Sequence, residues 1–287
     1  MTPLRQRFLD DLRLRNYSPR TLETYVSCVA RFAQHFGRSP DQLGSEEIRT
    51  YQLLLLQQGA SWSRFNQTVS ALRFLYRVTL GREEQMPVIP YGKKPKRLPC
   101  VLSPEEVLRL LDNTPPGRSR PLFQTIYACG LRLDEALHLR AADIDSARMV
   151  VHVRQGKGNK ERLVPLSERL LDELRRYWRE YRPRPWLFPG RSRERLLSPS
   201  NVQRVCRQLV ADAGITKRAT VHTLRHSYAT HLLEAGVDVV TLQKLLGHTN
   251  LNTTAHYLHL TSNRLQQTPS LLDLLALPTA VRKEAKP

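Results

Sequence analysis

Residues 221–260 read VHTLRHSYATHLLEAGVDVVTLQKLLGHTNLNTTAHYLHL. Three short helices are predicted there: one from about His222 to Ala235 stopped by Gly236, one from an Asp238 cap to Leu246 stopped by Gly247, and one from about Asn252. On the first, His222 and Arg225 are three residues apart and share a face. His248 follows the second helix in Leu-Gly-His, and Tyr257 lies nine residues further on. A guanidinium offers a planar fork of donors suited to phosphate oxygens, and an imidazole can add another. A tyrosine hydroxyl can be a covalent nucleophile. Together these groups point to phosphoryl transfer through a phosphotyrosine. Each has a plainer account when taken singly: His-x-x-Arg is a common pattern of little specificity, Leu-Gly-His can be a helix stop with a capping His, and Tyr257 can be an amphipathic-helix residue.

The surroundings of this stretch narrow the choice. The chain has 287 residues, enough for two domains with cores of their own, and a formal net charge of +19. Such a balance attracts a polyanion; charge alone leaves DNA, RNA and an anionic membrane open. The N-terminus lacks an apolar signal-peptide core, and no apolar run approaches the roughly 18 residues that span a bilayer. A soluble, cytoplasmic protein is expected. Cys28, Cys100, Cys129 and Cys206 form no C-x-x-C pair, so reduced, mostly buried thiols are expected rather than a zinc site or disulfides.

Upstream, residues 1–85 read as a helical bundle. Leu4, Phe8 and Leu12 fall at helical spacing, then Leu22, Tyr25, Val29, Phe32 and Phe36 after a Ser18 cap with Pro19 in the first turn. A third helix runs from a Ser45 cap to Gln58, and a fourth from Ser61 carries Trp62, Phe65, Val69, Leu72 and Tyr76. Residues 86–100, MPVIPYGKKPKRLPC, mix proline with Lys93, Lys94, Lys96 and Arg97; an extended, solvated linker is predicted, and its cations are candidates for phosphate contact.

The second domain, 101–287, opens on Ser103-Pro104-Glu105-Glu106, a capped helix start with acidic residues at the positive helix end. In the helical segment PLFQTIYACGLRLDEALHLRAADID, Gly130 costs about 1 kcal/mol of helix stability relative to alanine, which implies close packing or a local break. Arg132 and Glu135 follow it: either an exposed pair or a phosphate-binding Arg oriented by a carboxylate. Met149 to Val153 and Arg162 to Leu166 flank QGKGNK, a β-hairpin whose tip presents Lys157 and Lys160. Residues 179–195 hold six Arg among Pro, Gly and aromatics and are predicted to be a loop anchored by Trp186, Leu187 and Phe188.

Gly-Leu-Arg-x-x-Glu at Gly130 to Glu135, Gly-Lys-Gly at Gly156 to Gly158, His-x-x-Arg at His222 to Arg225, Leu-Gly-His at Leu246 to His248 and then Tyr257 resemble, in this order, the tyrosine recombinases or phage integrases, most closely the Xer type. The resemblance covers about residues 4 to 265. It implies a mainly α fold with a small β-hairpin or sheet: a helical SAM-like core-binding domain that clamps DNA, and an α+β catalytic domain. It also implies a site-specific recombinase that cleaves and rejoins double-stranded DNA through a 3′-phosphotyrosyl bond. In it Tyr257 would attack, Arg132, Arg225 and His248 would stabilise charge on the phosphate, and Lys157 would protonate the departing 5′-oxygen. His222 would bond the phosphate or take the tyrosine proton, and Glu135 would support the arginines. No cofactor or metal is implied. The partner is a double-stranded recombination site, bound by a homo-tetramer on paired sites, with room for a second recombinase or an accessory protein, and a nucleoid-associated place in the cytoplasm. The tail Ser270 to Leu277, SLLDLLAL, would dock within its own domain or on a neighbouring protomer.

Two other classes compete. A non-catalytic helix-turn-helix protein would use the helices joined at Glu234 to Val237, and has no need of Tyr257 beside Arg132, Lys157 and Arg225. A metal-dependent phosphodiesterase would use His222, His226, His231, His248, His256 and His259, without a grouped set of carboxylates.

Overall fold

A computed structural model describes residues 2–83, 90–93, 98–154, 161–190, 192, 194–255 and 257–258. The chain divides into two compact units, Met1–Arg97 and Leu98–Pro287. Among the described residues no helix is long and apolar enough to cross a membrane.

The first unit is helical throughout: α1 (Pro3–Leu14), α2 (Pro19–Phe36), α3 (Ser45–Gln57) and α4 (Trp62–Phe74), the last continued by a π-helical turn at Leu75–Thr79. The Thr2, Ser18 and Ser61 hydroxyls cap α1, α2 and α4 by accepting first-turn N–H groups, which satisfies donors a helix start otherwise leaves unpaired. At α3 the cap is Gly44 and Ser45 is the first helical residue: the Glu47 carboxylate reaches back to accept the Gly44 N–H at 2.9 Å. Phe8, Leu12, Phe32, Ile48, Leu55, Phe65, Leu72 and Tyr76 meet in one core. Each such side chain contributes on the order of 1.5–3 kcal/mol by leaving water. Of the linker cations, Lys93 is exposed at the surface; Lys94, Lys96 and Arg97 lie outside the described residues.

The second unit is α+β. Helices α5 (Pro104–Asp112), α6 (Ser119–Ala128), α7 (Leu133–Leu137), α8 (Glu168–Tyr181), α9 (Pro199–Asp212), α10 (Val221–Glu234), α11 (Val239–Leu246) and α12 (Leu251–Ala255) surround a three-stranded antiparallel sheet ordered β1 (Ile144–Asp145), β2 (Val150–Val153), β3 (Arg162–Pro165). β2 and β3 are the predicted hairpin, with Val150 opposite Pro165 and Val153 opposite Arg162. The short β1 is added on the far side of β2, pairing Ile144 with Val151. The arginine-rich stretch departs from its expectation at one end: residues 179–181 complete α8, and the loop proper follows, with Leu187 and Phe188 buried as its anchor. The tip with Lys157 and Lys160, and the tail with Ser270 to Leu277, lie outside the described residues.

Helix α10 is the inner element. Val221, Leu224, Ser227, Tyr228, Ala229 and Leu233 are all buried on it, along with Arg225, because α6, α9 and α11 pack around it. The start of the unit is pinned to α10 as well: the Leu102 N–H donates to Ser227 Oγ at 2.9 Å, and its carbonyl accepts from His231 Nε2 at 2.9 Å. A side chain on α10 is thus held by packing on several sides, which is what a precise site requires.

Between α6 and α7 the chain breaks at Gly130, whose φ of +58° is left-handed. The Tyr228 ring lies where a Cβ would stand, so both readings of this glycine hold. The break frees the Gly130 carbonyl to accept from Arg225 and leads into α7, with Arg132 at its N-cap.

Candidate active site

One buried carboxylate organises the site. Glu135 stands in the first turn of α7, its side chain 2% exposed. It accepts from the Arg132 backbone N–H at 2.8 Å and from Arg132 Nη1 at 2.7 Å. Arg162, at the head of β3, closes on it with both terminal nitrogens, 2.9 Å to Oε1 and 2.8 Å to Oε2. Arg225 Nη1 lies 3.7 Å from Oε2. Burial alone would raise the Glu135 pKa, but the Arg162 fork and Arg132 outweigh it and hold the group down at about 2. Three guanidiniums against one carboxylate leave two positive charges uncompensated within the cluster. A phosphodiester brings one negative charge and gathers more as a nucleophile joins it.

Arg225 is 1% exposed and fully positioned by its neighbours. Nη1 donates to the Gly130 carbonyl at 2.6 Å, and Nη2 donates to the Leu246 carbonyl at 2.7 Å and to His248 Nε2 at 3.1 Å. Burial, and then Arg132, lower its pKa to about 10, still charged at neutral pH. A guanidinium only donates, so His248 Nε2 must accept. The ring proton therefore sits on Nδ1, donated to Thr254 Oγ1 at 2.9 Å. Burial, with Arg225, Arg132 and Arg162 nearby, holds the His248 pKa at about 4, which agrees with that neutral tautomer. Gly247, left-handed at φ +62°, ends α11 and delivers His248 to this position.

Tyr257 follows α12. Its ring belongs to a small apolar cluster with Tyr228, Ala229, Leu233, Leu242 and Leu246, and the residue is 4% exposed. Its hydroxyl is 2.9 Å from His226 Nδ1. Burial raises its pKa, opposed by the charges of Arg225 and Arg132. His222 is exposed at the start of α10 and sets its ring against His226, centroids 4.5 Å apart. Partial desolvation of the ring, then Arg225 and Arg132, lower the His222 pKa.

Of the residues singled out in the sequence, Arg132, Glu135, Arg225 and His248 therefore meet in one connected cluster. Tyr257 and His222 are tied to each other through His226, within Coulombic reach of the same arginines. Lys157 lies outside the described residues. Two participants were not expected. Arg162 shares the inward face of β3 with buried Val164, and its Nε also donates to the Leu245 carbonyl at 2.7 Å, so it ties strand, α7 and the end of α11 together. Strand alternation carried that signal: a cation on the buried face needs an acid partner. His226 is four residues after His222 on one helix face, a spacing that brings the rings together. Among the described residues no three His, Cys, Asp or Glu side chains are grouped to hold a metal ion.

Residues 100–264 match the phage integrase family and residues 4–85 the phage integrase N-terminal SAM-like domain. A putative integrase/recombinase of Sinorhizobium fredii is 45% identical over 289 residues, covering 100% of this chain and 94% of the relative. The tyrosine recombinase XerA of Thermococcus onnurineus is 37% identical, covering 89% of this chain and 90% of its own length. Among solved structures, the XerH site-specific recombinase bound to its difH substrate in a pre-cleavage complex aligns with a TM-score of 0.68 at 25% identity, covering 88% of this chain and 79% of that one.

Proposed function

The chain belongs to the phage integrase family, as an Xer-like tyrosine recombinase, and on that premise we propose that Tyr257 attacks a scissile phosphate in a double-stranded DNA site, leaving a 3′-phosphotyrosyl bond and a free 5′-hydroxyl. The protein is a site-specific recombinase, a DNA strand transferase. The observation that carries the proposed chemistry is the convergence of Arg132 and Arg225 on one buried carboxylate, with His248 bonded to Arg225 and Tyr257 within Coulombic reach of both arginines.

Arg132 and Arg225 would hold the non-bridging oxygens, and their order in space is already set by Glu135 and the carbonyls, so little reorganisation accompanies the reaction. His248, with its proton on Nδ1, fixes the Arg225 fork. Lys157 would protonate the departing 5′-oxygen, and His222 would bond the phosphate at the open side. Two surplus guanidinium charges neutralise the reacting phosphate without a divalent ion, so the reaction is metal-independent and uses no cofactor. The energy of the broken bond stays in the phosphotyrosine, and a 5′-hydroxyl from another strand reverses the attack. Exchange of four strands between two duplexes takes four nucleophiles, which calls for a tetramer on paired sites, each subunit bringing a Tyr257; a second recombinase could supply half of them. Residues 1–85 would clamp the DNA, 86–100 would cross it with Lys93, Lys94, Lys96 and Arg97, and 101–287 would hold the chemistry, with Lys160 on the backbone beside Lys157. The protein would work at the nucleoid, where its DNA lies.

The test is a plasmid carrying two copies of the DNA that flanks the gene, incubated with purified protein in excess EDTA. Deletion or inversion between the copies is expected. Specific binding with no rearranged DNA would point to a binding protein instead, and a product that forms only after magnesium is restored would remove the metal-independent part.

A further inference from the structure

The proposed chemistry requires that the Tyr257 proton go somewhere, and among the described residues of the site three histidines are candidates: His222, His226 and His248. His248 has no free acceptor: Nε2 already accepts from Arg225 at 3.1 Å, and Nδ1 carries its proton toward Thr254. His222 is exposed and meets the ring of His226 rather than the phenol. His226 alone among the three has a ring nitrogen on the nucleophile, Nδ1 at 2.9 Å from the hydroxyl, with the two rings 5.6 Å apart. Among the described residues it is the hydroxyl's one hydrogen-bonding partner.

Resting on the recombinase reading above, we propose that His226 is the catalytic base for Tyr257, taking the phenolic proton on Nδ1 as the oxygen attacks phosphorus. The O–H bond breaks and Nδ1 gains the proton, giving an imidazolium that keeps its Nε2–H. The phenolate oxygen forms the new bond to phosphorus, the P–O5′ bond breaks, and the departing oxygen takes a proton from Lys157. In rejoining, the incoming 5′-hydroxyl returns its proton to the lysine, and the leaving tyrosinate recovers its own from His226. One proton is stored and one supplied in each direction, so no co-reactant is consumed.

The groups facing His226 time this transfer. Burial, then His222 and Arg225, keep its pKa at about 4, so the ring is neutral and able to accept before DNA arrives. A phosphate bound at Arg132 and Arg225 brings a negative charge that opposes the repulsion from Arg225, and the proton affinity of His226 rises when the proton must move. Base and nucleophile are also held by different parts of the fold, His226 on the inner helix α10 and Tyr257 by the apolar cluster after α12, so their contact is set by packing.

Single-turnover cleavage of a nicked suicide duplex, with DNA affinity measured in parallel, tests this in wild type, His226→Ala and His226→Asn. Asparagine keeps an acceptor near the place of Nδ1 but cannot hold a proton. Both variants should bind DNA as wild type does and form the covalent adduct about 10²-fold more slowly. Added imidazole should speed His226→Ala and leave wild type unchanged. A wild-type rate in His226→Asn would reduce the histidine to positioning, and a faster rate in His226→Ala would make the contact a resting latch; either overturns the proposal. If wild type itself forms no adduct on DNA that it binds specifically, the recombinase reading fails first and this inference with it.

Discussion

Arg225→Ala is expected to bind its DNA and to form the covalent adduct at least about 10³-fold more slowly than wild type in single turnover. The size follows from how completely this guanidinium is used. It sits 1% exposed on the inner helix and links the Gly130 carbonyl, the Leu246 carbonyl and His248 Nε2, and in the proposed chemistry it also holds the phosphate. Alanine removes the phosphate donor and releases the two elements whose carbonyls it joins. Arg225→Lys separates these losses. A lysine restores one charge but cannot fork to two carbonyls and a phosphate, so the rate should recover only in part, to about 10²-fold below wild type. A lysine variant at full rate would mean that charge alone is required at this position.

Glu135→Gln should cost the fold about 3–5 kcal/mol at neutral pH, read by urea unfolding. Arg162 and Arg225 are both buried beside this carboxylate, with Arg132 at its edge, and without the anion their charges face one another unscreened. The same pairing predicts an acid limb for the wild type. The Glu135 pKa lies at about 2 in the folded protein against an ordinary 4.5. A depressed folded value stabilises the protein above the unfolded pKa, and that contribution is lost as pH falls from about 4.5 through about 2. It amounts to about 3 kcal/mol, and the pH slope it produces should be missing from Glu135→Gln. An unchanged slope in the variant would assign the acid limb to other carboxylates.

Much of this site was legible in the chain. Helix caps at Ser18, Asp238 and Ser103, the glycine stops at Gly236 and Gly247 and the hairpin around residues 155–160 are local signals, and local signals place elements. Arg132, Glu135, Arg225 and His248 could be named because each sits in a short motif beside a turn or helix end. What stayed hidden depends on long-range contact. Arg162 lies 27 residues from Glu135, and its role appears only when β3 is set against α7 and α11. His226 meets Tyr257 across 31 residues, a contact that spacing along the chain does not give; the family resemblance implied only that His222 would bond the phosphate or take the tyrosine proton. Gly130 is the intermediate case: a break was legible, while the Tyr228 ring that fills the space beside it was not. The mid-chain helices α8 and α9 carry no motif chemistry, and they matter here by packing around the elements that do.

The most direct measurement is the identity of the protein–DNA bond. A nicked suicide duplex from the flanking DNA is incubated with the protein in EDTA, the covalent adduct is isolated under denaturing conditions, and the adducted peptide is sequenced by mass spectrometry after nuclease and protease digestion. A single 3′-phosphotyrosyl linkage at Tyr257 is expected. A linkage at another residue, or DNA cut with no protein attached, would contradict it.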